Sequence, residues 1–171
     1  MEKGFSLVEL FATLAIVSMI MMIAAPSTKT LINRERAISD ASLLHGALQQ
    51  ARLHAVTTGQ ATTIQAVNNT WGSGWRIYID PNRSMRAEDS PKVIAEQGAR
   101  SSHITATSTL QNGVHFLPNG RAILQSGGFQ AGTFSVCQAG SASSYELIIS
   151  KIGRVRRASE PNNTKCTNPT P

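Results

Sequence analysis

Four cationic side chains crowd one short stretch late in the chain: Lys151, Arg154, Arg156 and Arg157. Arginine presents a planar fork of N–H donors that matches phosphate oxygens, and lysine adds a compact charge. In an extended Gly153-Arg154-Val155-Arg156 segment side chains alternate with period two, so Arg154 and Arg156 would share a face. Gly153 would leave the backbone beside them unobstructed. Residues 150–171 carry a net +4 of the whole-chain +6, whereas residues 1–70 and 71–149 carry +1 each. Such a segregated basic stretch points to an anionic polymer as partner. No aromatic residue lies in 150–171, so contact should be with the charged backbone of the polymer and largely blind to its sequence. The competing reading is the solvated face of a final edge strand, kept soluble by its charge.

A second chemically loaded position is Glu9. It stands at the start of an apolar run that reaches Ala25, and no charged residue occurs from Leu10 to Thr28. About 20 apolar residues suffice for a helix to cross a bilayer core of roughly 30 Å. A carboxylate in such a span costs about 2.5–3.5 kcal/mol, so it calls for a partner. A cleaved secretory signal fits poorly. The run exceeds the usual apolar core of such signals, Met1-Glu2-Lys3 is barely basic, and Ala24-Ala25 is hemmed by Ile23 and Pro26.

The remaining reactive side chains do not assemble a catalytic pattern. His45 and His54 are nine residues apart, which is no metal pair, and His103 and His115 are isolated. Asp80, Asn82, Glu88 and Asp89 could hint at calcium, but they lack a loop frame and Arg83 and Arg86 interrupt them. There is no nucleophile elbow, phosphate loop or zinc spacing. The expectation is a protein that is not an enzyme and needs no metal or cofactor. Cys137 and Cys166 allow one intramolecular pairing and suit an oxidising compartment. We expect them to form a disulfide that folds the tail back and restricts the unfolded chain by roughly 3.5 kcal/mol.

The elements that must hold these groups follow from periodicity. The chain has 171 residues, 41% of them hydrophobic, enough for one soluble domain beyond the apolar run. Pro26 sits inside what should be one long helix and would kink it by removing a hydrogen bond. Beyond it Ile38, Ala41, Leu44, Leu48, Ala51 and Ala55 make an amphipathic stripe, and Thr57-Thr58-Gly59 supplies an end. From Gly59 onward the period turns strand-like, with strands expected near 61–67, 76–80, 92–96, 103–110, 114–116, 121–124, 133–138 and 144–153. Asn68-Asn69 and Pro118-Asn119-Gly120 mark turns. The fold class expected is α+β, a long N-terminal helix packed on an antiparallel β head. The segments are 5–28 a transmembrane half-helix, 29–58 an amphipathic half-helix, 59–150 the head and 151–171 a basic tail, and the resemblance given next implies that 1–4 is a leader.

Met-Glu-Lys-Gly followed by Phe-Ser-Leu-Val-Glu-Leu and an apolar helix resembles the N-terminus of type IV prepilins and type II secretion pseudopilins. Trp71-x-x-Gly74-Trp75 before a strand ending in Asp80-x-Asn82, together with Phe116-x-Pro118-x-Gly120-Arg121, resembles the minor pilin and pseudopilin group that includes FimT and GspH. The resemblance implies cleavage between Gly4 and Phe5 by a prepilin peptidase and N-methylation of Phe5. It also implies pairing of Glu9 with the cationic N-terminus of a neighbouring pilin subunit. It places the chain in the inner membrane, with a periplasmic head that is assembled into a filament reaching the cell surface. In FimT-like minor pilins a C-terminal Gly-Arg-x-Arg motif binds DNA for natural transformation, and Gly153, Arg154 and Arg156 match it. Arg157 and Lys151 would add field, and the partner implied is double-stranded DNA held by its phosphates. The alternative within the same group is a GspH-like structural pseudopilin of a type II secretion system, with no nucleic-acid role.

Overall fold

The computed structural model describes residues 6–87, 92–138 and 143–161, without the side chains of 22–29, 143 and 159–161. Gly4, Phe5, Glu88, Asp89 and Cys166 lie outside the described residues. One helix, α1 (Leu7–Thr58), runs for 52 residues, about 78 Å at 1.5 Å per residue. It continues through Pro26 without a break, and it stops at Gly59, whose left-handed φ of 68° turns the chain out. Ala37, Ala41, Leu44, Leu48, Ala51 and Ala55 form its buried stripe. These residues are spaced alternately by four and three, which holds one face of a 3.6-residue helix against the head. Ile38, assigned to that stripe from sequence, is only half-buried, because Ala37 is the residue in phase with the rest.

Among the described residues nine strands follow, all paired antiparallel: β1 (Thr62–Ala66), β2 (Trp75–Ile79), β3 (Val93–Gln97), β4 (His103–Ala106), β5 (Gly113–Phe116), β6 (Ala122–Ile123), β7 (Gly132–Cys137), β8 (Ser143–Ile149) and β9 (Val155–Pro161). They form a five-stranded sheet in the order β3-β2-β1-β5-β6 and a four-stranded sheet in the order β4-β7-β8-β9. The small stripe of α1 packs on both sheets, so alanines in the helix allow two layers to converge on one axis. Where the sheets meet, Trp71 and Phe134 pack edge to face with ring centroids 4.8 Å apart. Trp71 Nε1 donates to Leu110 O at 3.0 Å, so the buried indole has its polar end satisfied.

Two strand boundaries differ from the expectation. The strand expected over 103–110 ends at Ala106, and a 3-10 turn at Ser108–Leu110 drops Leu110 into the core. The strand expected over 144–153 ends at Ile149, and a further strand, β9, follows in what reads as tail. The chain is held to α1 by a buried charge: Asp40 accepts from Arg100 Nη2 at 2.8 Å and from Ser102 N at 3.1 Å. Burial alone would raise the Asp40 pKa. The hydrogen bonds from Ser102 and Arg100, with the charge of Arg100, win and hold it below the usual carboxylate value.

Candidate nucleic-acid interface

The basic residues sit on and beside the turn that joins β8 to β9. Gly153 N donates to Ser150 O at 2.8 Å, Ser150 N to Arg154 O at 3.0 Å and Arg154 N to Ser150 Oγ at 3.1 Å. The turn needs a left-handed residue, and Gly153 supplies it with φ of 76°. Gly153 is also buried against the neighbouring Leu117–Arg121 turn. A Cβ there would run into Gly120 O and come within 3.1 Å of Ala122 N. Arg52 Nε, from α1, donates to the same Gly120 carbonyl at 2.9 Å. The glycine therefore does not open the backbone to a ligand, as its spacing alone led us to expect; it locks two turns and the helix together.

Around this junction Lys151, Arg154 and Arg156 are exposed. Among the described residues no ion pair engages them. Arg154 precedes β9 and lies in the turn, so its placement comes from the turn hydrogen bonds and not from strand alternation. Arg156 is opposite Ile148 and Arg157 opposite Leu147, so the two arginines leave the sheet on opposite faces. Arg157 leans toward α1, where Nη1 lies 3.3 Å from Ser42 Oγ. There it edges a groove of about 270 Å³ with Arg34, Ile38 and Tyr145. Burial first, and then the charge of Arg157, lower the pKa of His45 on the same helix face.

Two further cations adjoin the turn; sequence reading assigned neither to the site, although Arg121 closes the Phe116-x-Pro118-x-Gly120-Arg121 motif. Arg52 is fixed by the bond just described. Arg121 lies between the two residues that Gly153 abuts, and its guanidinium carbon is 4.7 Å from the centroid of the Phe129 ring. The signal that could have found Arg121 is its place directly after Pro118-Asn119-Gly120.

The other expected positions are less eventful. Glu9 is exposed in the first turn of α1. Cys137 is buried at the end of β7 and is not a free thiol. The Asp80 carboxylate is filled by Ser84 N at 2.8 Å, Met85 N at 3.0 Å and Thr63 Oγ1 at 2.9 Å, so it ties down its own loop. Among the described residues no group of His, Cys, Asp or Glu could hold a metal. His115 Nδ1 lies 2.7 Å from Thr63 Oγ1. Since the Thr63 hydroxyl donates to Asp80, Nδ1 must carry the proton, and buried Nε2, which has no partner, is left as a bare acceptor. Residues 7–21 of α1 are exposed all round, with apolar side chains on every face. Among the described residues no helix is long and apolar enough to cross a membrane, and side chains 22–29 of the apolar run are outside them.

A long helix clasped by antiparallel sheets is the pilin-like α+β fold, and solved structures of minor pilins and pseudopilins share it. The type IV minor pilin FimU of Pseudomonas aeruginosa strain PAO1 is 25% identical over 70% of this chain and 90% of its own, with a TM-score of 0.58. A second crystal form of it gives 24% identity, 74% and 90% coverage and a TM-score of 0.60. The minor pseudopilin EpsH of the Vibrio cholerae type 2 secretion system shares the fold at 11% identity, covering 72% of this chain and 97% of that one, with a TM-score of 0.54. No curated protein matches the chain. The family described as type II transport protein GspH matches residues 40–153, well over half of the chain. The chain belongs to this family of minor pilins and pseudopilins.

Proposed function

We propose that the chain is a minor type IV pilin that binds DNA through the β8–β9 turn and serves uptake in natural transformation. The observation that carries the reading is the trio Lys151, Arg154 and Arg156, exposed on one braced turn and the strand that leaves it, and free of acid partners among the described residues. Forks held without a competing carboxylate are available to phosphate oxygens. The turn lies beside Arg52, near the C-terminal end of α1. An anchor at the other end of the helix would leave it far from the membrane.

Several properties accompany this reading. Residues 5–28 would span the inner membrane, because a helix apolar on all sides needs an apolar surround. A prepilin peptidase would cut between Gly4 and Phe5, and Glu9 would meet the new amine of a neighbouring subunit. Cys137 and Cys166 would form a disulfide. Cys137, Ser135 and Glu146 lie on the sheet face turned from α1, yet all are buried, a face that a returning tail would cover. Two free thiols in non-reduced mass spectrometry would exclude that bond.

The family description favours one second reading, a structural pseudopilin of type II secretion. Mobility shifts of the full chain in detergent micelles, on two unrelated duplexes, separate the two. A DNA-uptake pilin retards both alike, and Arg154→Gln with Arg156→Gln weakens both. Absence of any shift at low salt would leave the pseudopilin reading standing.

A further inference from the structure

We infer that Phe129 and Arg121 form a stacking platform for an unpaired nucleobase beside the basic turn. The inference deepens the reading of that turn as a phosphate site and rests on it. Phe129 is 52% exposed, which is a poor place for a ring with no use, since burying it would stabilise the fold. The ring is not loose. Its backbone bridges to Ile123, and the Arg121 guanidinium is stacked over it at 4.7 Å. Phe129 and Arg121 together offer two flat surfaces, one aromatic and one cationic, and both kinds accept the face of a base.

Placement ties the pair to the turn. Gly153 abuts Gly120 and Ala122, the two residues that flank Arg121. The backbone of Arg121 thus lies beside the turn that carries Arg154 and Lys151, within reach of a strand bound there. Ile152, 62% exposed at the tip of the turn, adds an apolar surface that a phosphate-only contact would not use. The absence of aromatic residues from 150–171 made stacking seem unsupported. The fold supplies the aromatic from a segment more than twenty positions earlier in the chain. In paired DNA the base faces are hidden in the stack, so the ligand is a single strand or a frayed end rather than duplex interior. Base–aromatic stacking is worth about 1–3 kcal/mol per base, which corresponds to roughly 5- to 140-fold in affinity.

The test compares a fluorescein-labelled 16-nucleotide single strand with an abasic sugar-phosphate strand of equal length and charge. Both are titrated against the full chain in micelles. The wild type should bind the base-bearing strand about tenfold more tightly. Phe129→Ala and Phe129→Leu should abolish that preference while leaving the abasic affinity unchanged, and Phe129→Tyr should keep it. Arg154→Gln with Arg156→Gln should weaken both strands alike. Equal binding of the two strands by the wild type, with both weakened by the double substitution, would overturn the platform and leave the phosphate site intact. Failure of the wild type to bind either strand would overturn both.

Discussion

Gly153 lies against the carbonyl of Gly120, and both glycines are left-handed, with φ of 76° and 77°. Each turn closes on an i to i+3 hydrogen bond, and each uses its glycine where a side chain would be strained. The contact joins the β8–β9 hairpin to the β5–β6 connection, and Arg52 adds α1 through the same oxygen. The basic side chains thus stand on a rigid corner, which lowers the entropy lost when they grip a ligand.

Gly153→Ala should therefore be costly twice over. A left-handed alanine loses about 1 kcal/mol, and its Cβ would meet Gly120 O. We expect a thermal midpoint lowered by several degrees and weaker DNA binding, with all the arginines retained. An unchanged midpoint would show that the corner yields without strain.

The arginines should not be equivalent. Replacing Arg154 and Arg156 with Gln should flatten the dependence of log affinity on log salt by about two units. Arg157→Gln should change it by less than one, because Arg157 leans toward Ser42 on the helix. Lys at 154 and 156 keeps charge and loses the fork, so intermediate affinity is expected. Titrations on duplex DNA at several salt concentrations check the order.

Acid should weaken the head before it touches most carboxylates. Burial lowers the His115 pKa to about 4, Asp80 raising it and Arg83 lowering it further. Between about 6.5, the unfolded value, and 4 the unfolded chain binds a proton that the folded chain refuses. Stability should fall as pH drops through that window, by roughly 3 kcal/mol in all, and level off below it. His45, also lowered, adds a slope of the same sign. Denaturant midpoints at pH 7.5, 6 and 4.5 should show the slope, and His115→Gln should remove most of it.

Asp40→Asn should destabilise the junction between α1 and the 100–102 segment by about 1–3 kcal/mol. Arg100 would lose its counter-charge. The Asp40 carboxylate pKa is lowered on folding, so its contribution is present above about 3.8 and lost as pH falls through the folded value. The variant should therefore lose the acid limb of the stability curve at the lowest pH, which chemical denaturation reads directly.

Gly4→Glu should leave a full-length precursor, whereas Glu9→Val should be cleaved yet be missing from sheared filaments. Immunoblots of membranes and shear fractions distinguish the two defects.

Much of this architecture was legible in the sequence because the relevant signals are local. The alternation of four and three from Ala41 to Ala55 marks a packed helix face, and Gly59 ends it where a left-handed cap is needed. Pro118-Asn119-Gly120 reads as a turn for the same reason. β9 was read only as the competing edge strand and left out of the expected strands because Val155 is its only large apolar residue: an edge strand buries one short row and needs no hydrophobic alternation. The purpose of Gly153 was invisible because its partner, Gly120, is thirty-three positions away and contributes only a carbonyl. Phe129 was invisible as a candidate for the proposed platform for the same reason: it meets Arg121, whose neighbours Gly120 and Ala122 abut Gly153.

The β8–β9 hairpin has a mechanical consequence. Seven residue pairs, from Ser143 opposite Pro161 to Ile149 opposite Val155, link its strands, and β9 runs back along α1 from Arg52 toward Ser42. A tether attached at the turn and drawn away from the start of α1 would pull β8 and β9 together and load the hydrogen bonds joining β8 to β7 along their length. Those bonds lie perpendicular to the strands, so they would be sheared together instead of unzipped one after another. The corner is thus suited to carry tension along its strands, and on the proposed reading a single-molecule pull on DNA bound at this turn should end in release of the DNA before the hairpin opens.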